Sequence, residues 1–312
     1  MSEPKKQFHV VLCTGKDIKG LIASNLANQF FTPKNIKLTV FLCDDAAKSE
    51  GAKLASVVFG QHEYRHWFGS GDDAGFLGDI DSNEEKSFTK RDVGENTAFC
   101  TFQELRDRGI PVIVLEKKIN NSMYLDMLRE MKPDVIYSAR FLHIFKAPIL
   151  EIPKYGVLNM HPGSLPDYKG LHVDMRAMMN QIENCTMTMH EVDTGIDTGK
   201  FLDEFEVKIN PEKSLFWHRL QLQIGGMNMF FKVALRMAGV TSGEGVEIKE
   251  KDQSGEGNYY TWPDKDEYEK FDVMDLKHVD ESDIQFVEGL FDKRLHCPLT
   301  IKENERGLFD IA

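Results

Sequence analysis

The feature that most constrains the fold is the regular exchange of short apolar runs with helical periods through the first half of this 312-residue chain. Phe8-His9-Val10-Val11-Leu12-Cys13 is an apolar run ended by Thr14-Gly15, the pattern of a buried strand. Asp17 then caps a helix whose apolar stripe is Ile18, Leu21, Ile22 and Leu26. The alternation continues with a strand at 37–43, helices at 46–59 and 101–108, a strand at 112–115, a helix at 122–131 and a strand at 135–137. Strands alternating with helices imply parallel pairing through right-handed crossovers. The expected class is therefore α/β, a Rossmann-like, doubly wound, mostly parallel sheet. Between 60 and 96 the rhythm fails, and glycines, acids and the aromatics Tyr64, His66, Trp67 and Phe68 mix without period. So long an excursion inside a compact domain is expected to border a binding pocket or a subunit contact, or to be a simple surface loop.

In the second half, Val157-Leu158 reads as the buried end of a strand, and Pro162 forbids ladder pairing just after His161. Asn159 and His161 share parity and so leave the strand on one face. Strands at 186–192 and 201–209 flank a glycine-bounded loop holding Asp197, between helices at 172–181 and 213–237. An imidazole with a carboxylate partner can take a proton from an attacking amine and return it to a leaving group. An asparagine amide is an uncharged donor suited to a developing oxyanion. His172 and His190 flank these pieces without clustered Asp, Glu or Cys partners, so no metal is expected.

Three separate pieces, Asn159-Met160-His161-Pro162, Ser164-Leu165-Pro166-Asp167-Tyr168-Lys169-Gly170 and His190 through Gly195-Ile196-Asp197-Thr198-Gly199, resemble the formyltetrahydrofolate-dependent formyltransferase family in order and spacing. That family includes glycinamide ribonucleotide, methionyl-tRNA and sugar N-formyltransferases. The resemblance is close over 133–202 and looser back to the first strand. It implies that Asn159, His161 and Asp197 are catalytic and that 10-formyltetrahydrofolate is the formyl donor. It also places the folate against Leu142, His143 and Ile144, with Asp193, Thr194, Gly195 and Ile196 closing the other side. Gly163 departs from the pattern, because the family more often passes from the proline directly to serine.

Composition narrows the acceptor. No apolar run approaches the roughly 20 residues needed to span a bilayer, and no signal-peptide core follows Met1, which leads us to expect a cytoplasmic protein without a membrane partner. The five cysteines are scattered and read as reduced thiols. Of the net charge of −12, most lies beyond position 240, where 19 acidic residues face 9 basic ones. A module meant to hold tRNA needs the opposite sign to neutralise phosphates. The strand-to-helix turn Thr14-Gly15-Lys16-Asp17 lacks the Gly-Asn-Gly-Ser-like loop with which glycinamide ribonucleotide formyltransferases hold a phosphate. The expectation is a catalytic domain over 1–240 and an acidic accessory region over 241–312. The acceptor is expected to be a primary amine, best matched to the sugar N-formyltransferase branch and a nucleotide-linked amino sugar. Methionyl-tRNA formyltransferase and formyltetrahydrofolate hydrolase are the alternatives, nucleic acid is not the expected partner, and a homodimer is left open.

Overall fold

The computed structural model describes residues 6–43, 99–240, 251–291, 301–303 and 309–311. In chain order its elements begin with β1 (His9–Gly15), α1 (Ile18–Phe31), β2 (Lys37–Cys43), α2 (Phe102–Asp107), β3 (Val112–Val114), α3 (Ser122–Met131) and β4 (Val135–Ala139). A short α4 (Ala147–Leu150) leads to β5 (Val157–His161), β6 (Lys169–Gly170), α5 (Val173–Met179), β7 (Asn184–Glu191) and β8 (Phe201–Lys208). Then come α6 (Leu215–Met237), β9 (Tyr259–Tyr260), α7 (Lys265–Val273), α8 (Glu281–Phe291) and the pair β10 (Ile301–Glu303) and β11 (Phe309–Ile311).

Seven strands form the main sheet in the order β3-β2-β1-β4-β5-β7-β8. The pairs from β3 to β5 are parallel, and β7 and β8 continue the sheet antiparallel. This is the doubly wound, mostly parallel sheet expected from the alternation. The order reverses at β1, so the crevice lies where the carboxyl ends of β1 and β4 diverge, the customary ligand position in open α/β sheets.

Local chemistry explains the boundaries. The Asp17 carboxylate accepts from Gly20 N at 2.8 Å and starts α1, while Thr101 and Glu104 form a reciprocal capping box that starts α2. The single apolar stripe expected of α1 is too narrow, because Lys19, Ser24 and Asn25 are buried as well. The helix is enclosed between the sheet, α6 and the entry to α2, where the Asn25 side chain pairs with both backbone groups of Cys100 at 2.6 and 2.8 Å. Those bonds satisfy an amide that burial would otherwise penalise.

One core layer packs α1 and α6 on the sheet, and a second packs α3 and α4 on its other face. Residues of the acidic C-terminal stretch share the first layer: Tyr268, Phe271, Val287 and Leu290 are buried in it. Leu215 N donates to Lys277 O at 2.7 Å and Phe99 N to Leu290 O at 2.8 Å. No helix among the described residues is long and apolar enough to cross a membrane. The helix read at 46–59, the irregular stretch 60–96 with Tyr64, His66, Trp67 and Phe68, and Cys297 lie outside the described residues.

The aromatic seam between α1, α6 and β4 sets the depth at which the sheet is held. Phe231 stacks on Phe30 at a 4.0 Å centroid distance, and Phe230 lies parallel to Tyr137 at 3.5 Å. Phe231→Ala is therefore expected to cost roughly 3–5 kcal/mol in denaturant unfolding, the usual range for a buried phenylalanine. A loss below about 1 kcal/mol would show that the seam repacks freely.

Candidate active site

The site is built on β5. Its ladder with β7 sets Asn159 opposite His190 and His161 opposite Thr188. His161 is the last strand residue, and Pro162 turns the chain away. The turn is held from β7 by Thr188, whose buried hydroxyl donates to Gly163 O at 2.7 Å. Gly163 is required where it stands, since a Cβ there would lie 2.8 Å from His161 Nε2 and collide with the Tyr168 carbonyl. The residue that departs from the family pattern thus forms the wall against the imidazole.

Asp197 reaches the same place from the loop after β7. The Asp193 carboxylate organises that loop by accepting from Gly195 N at 2.9 Å and from the Thr198 hydroxyl at 2.7 Å. Asp197 takes a left-handed backbone, φ 53°, which a non-glycine residue adopts only under local support. Its Oδ2 accepts from Gly170 N at 2.9 Å and lies 3.5 Å from His161 Nδ1, while Oδ1 lies 3.5 Å from His190 Nε2. Asn159, His161 and Asp197, widely spaced in the chain, therefore meet in one cluster.

The hydrogen-bond network assigns the proton positions. His190 Nδ1 donates to Glu191 O at 2.6 Å, which leaves Nε2 to accept from Asn159 Nδ2 at 3.1 Å. The carboxamide is thereby oriented, with one N–H still to give. His161 Nε2 donates to Tyr168 O at 2.5 Å, so in the neutral ring Nδ1 is the basic nitrogen and faces Asp197. Once Nδ1 gains a proton, both N–H groups have acceptors in place, Tyr168 O and Asp197. A protonated His161 would thus be satisfied at both ring nitrogens.

Burial pushes the His161 pKa below its ordinary value of 6.5, against the opposing pull of the Asp197 charge and the Tyr168 carbonyl. Burial raises the Asp197 carboxyl, but the two imidazoles and the Gly170 amide outweigh it and bring the pKa down to about 2. Near neutral pH the pair is a neutral base beside a charged partner, the state general base catalysis needs.

The expected folate contacts divide. Leu142 and Ile144 in the loop after β4, and Ile196 in the Asp197 loop, are 38%, 61% and 44% exposed, unusually open for large apolar side chains. Thr194 and Gly195 are exposed beside Ile196, as is Asp193. The His143 side chain instead turns into the core at 5% exposure, where Nδ1 accepts from Ile119 N at 3.1 Å. Its backbone alone is left for a ligand.

His190, part of the motif that carries the family resemblance but given no role by it, is the group that orients Asn159. Strand register could have found it, since both residues sit on one sheet face. The Tyr168 carbonyl and Gly170 amide carry no side-chain signal at all. His172 belongs elsewhere, accepting from Arg219 Nη2 at 3.1 Å beside the buried Arg219–Asp174 ion pair at 2.6 Å.

Residues 86–219 match the formyl transferase family model. The match spans less than half of the chain. Over 124 residues the chain is 32% identical to methionyl-tRNA formyltransferase of Caldanaerobacter subterraneus subsp. tengcongensis, covering 39% of this chain and 40% of that protein. Over 110 residues it is 36% identical to the bifunctional polymyxin resistance protein ArnA of Wigglesworthia glossinidia brevipalpis, covering 34% of this chain and 17% of that one. This chain thus spans less than half the length of either relative. The crystal structure of a 4-N formyltransferase from Francisella tularensis has the same fold, with a TM-score of 0.50 at 16% identity over 98% of this chain and 97% of that one.

The direction of the His161 shift makes a kinetic prediction. The base is active only when neutral, so the acid limb of kcat/KM is expected below the ordinary imidazole value of about 6.5. Asp197→Asn removes the charge that raises the His161 pKa and should move the limb lower still while reducing the rate. An acid limb above 7 in the unsubstituted protein, or one moving upward in the variant, would contradict this assignment of the base.

Proposed function

We propose that this protein transfers a formyl group from 10-formyltetrahydrofolate to a primary amine. In this reading the amine nitrogen attacks the formyl carbon, the C–N bond forms, and the carbonyl oxygen becomes an oxyanion that takes the remaining Asn159 Nδ2–H. His161 accepts the ammonium proton at Nδ1 and delivers it to N10 of the folate as that bond breaks. Asp197 holds the imidazolium and orders the water through which the proton moves.

The observation that carries the reading is the convergence of an oriented amide, a neutral buried imidazole and an ionised carboxylate at the carboxyl end of β5. Support for a folate donor comes from the formyl transferase match and from the exposed apolar side chains of Leu142, Ile144 and Ile196 in the loops around it. For the acceptor we favour a nucleotide-linked amino sugar. The acidic tail opposes the phosphate neutralisation that tRNA requires. The methionyl-tRNA formyltransferases among the sequence relatives make initiator methionyl-tRNA the second reading.

The test is a panel of nucleotide amino sugars, free amines and initiator methionyl-tRNA with the folate donor, run on the protein and on His161→Ala, Asp197→Ala and Asn159→Ala. Formylation of an amino sugar is expected, with each variant slower by on the order of a hundredfold or more. A rate within twofold for any variant would remove that residue from the mechanism. Formylation of the tRNA alone would replace the acceptor.

A further inference from the structure

The acidic C-terminal region was expected to be accessory, yet its first described residues grip both loops that build the site. Lys251 exchanges backbone hydrogen bonds with Phe201 at 3.0 and 3.1 Å, anchoring the strand beside the start of β8. Two residues on, Gln253 Nε2 donates to Asp197 O at 3.0 Å and to Gly199 O at 2.7 Å. The same stretch then crosses to the opposite loop. Lys169 N donates to Asn258 O and Leu171 N to Tyr260 O, both at 2.9 Å, as β9 pairs parallel with β6. Between those bonds lies Gly170, whose own N–H goes to the Asp197 carboxylate.

We infer that Gln253 is a positioning residue for catalysis, which locks the left-handed backbone of Asp197 so that its carboxylate stays between His161 and Gly170. This inference rests on the formyl-transfer reading for its kinetic consequence and on geometry alone for its structural one. Asp197 is held at three points: its Oδ2 by Gly170 N, its loop by the Asp193 turn, and its carbonyl by Gln253. The Asp193 turn acts through Gly195 and Thr198 and does not fix the peptide of Asp197 itself. Gln253 holds that peptide directly, and its two N–H groups bracket the residue by bonding the carbonyls of Asp197 and Gly199. A positive φ off glycine needs such support, because the conformation is strained for a residue with a Cβ.

Gln253→Ala removes the grip, and Gln253→Met tests it at nearly unchanged volume and charge, since a thioether cannot donate to either carbonyl. Both are expected to lower kcat by on the order of ten- to a hundredfold with KM for donor and acceptor within about twofold, because the displaced group acts on the proton and not on binding. The titratable groups facing His161 are Asp197, His190 and Asp174. Only Asp197 is released by these variants, so the His161 titration followed by imidazole NMR should move to lower pH, in the direction of Asp197→Asn. In the Asp197→Asn background Gln253→Ala should cost little more, as expected for residues acting in series.

An unmoved His161 titration in both variants, or losses that add fully in the double variant, would overturn the positioning role. The NMR readout needs no activity, so absence of formyl transfer with an intact titration shift would defeat the functional reading and leave the positioning role standing. Should alanine lower the melting midpoint, the methionine variant carries the decision.

Discussion

The buried carboxylate of Asp197 is the constraint on which the rest of the site depends. A charge taken out of water is costly unless it is met by donors and opposite charge, and here the Gly170 amide donates to it while His161, on gaining a proton at Nδ1, supplies the opposite charge. Each partner is fixed in turn by something else. Gly170 stands in β6, which is paired with β9, and its φ of 94° against the Tyr260 carbonyl leaves no room for a side chain. His190 is pinned by the Glu191 carbonyl, and His161 by Tyr168 and the Gly163 wall. Charge, tautomer and backbone thus specify one another.

The sheet supplies the rigidity such a site requires. Asn159 and His161 occupy one face of a strand flanked by β4 and β7, opposite the face on which the long helix α6 packs. Met160, between them, points to the other side, where its sulfur accepts from the Tyr137 hydroxyl at 2.9 Å. The alternation of β side chains therefore divides β5 into a reactive face and a core face.

The sequence made the frame legible where local chemistry was strong. Asp17 marked a helix start, and α3 and β2 have the expected bounds. The triplet was legible through parity and glycine spacing, together with the resemblance that assigned its members. What escaped was everything carried by the backbone or by long-range pairing. No residue pattern announces that the Tyr168 carbonyl meets His161, or that Gln253, 56 positions along the chain, holds Asp197. The acidic composition of the tail suggested separation, whereas Tyr268 and Phe271 on one face of α7 join the main core. Averaged charge conceals a helix whose buried side is narrow.

The central claim is that this buried pair moves a formyl group onto nitrogen. Its most direct test is a single-turnover reaction with donor carrying carbon-13 in the formyl carbon, followed by NMR in the presence of a nucleotide amino sugar. The label is expected to appear as a formamide on the sugar nitrogen with the intact protein, and Asp197→Ala to slow its appearance by on the order of a hundredfold or more. Label released as free formate at the same rate with and without the amine would contradict it, since water would then be the acceptor.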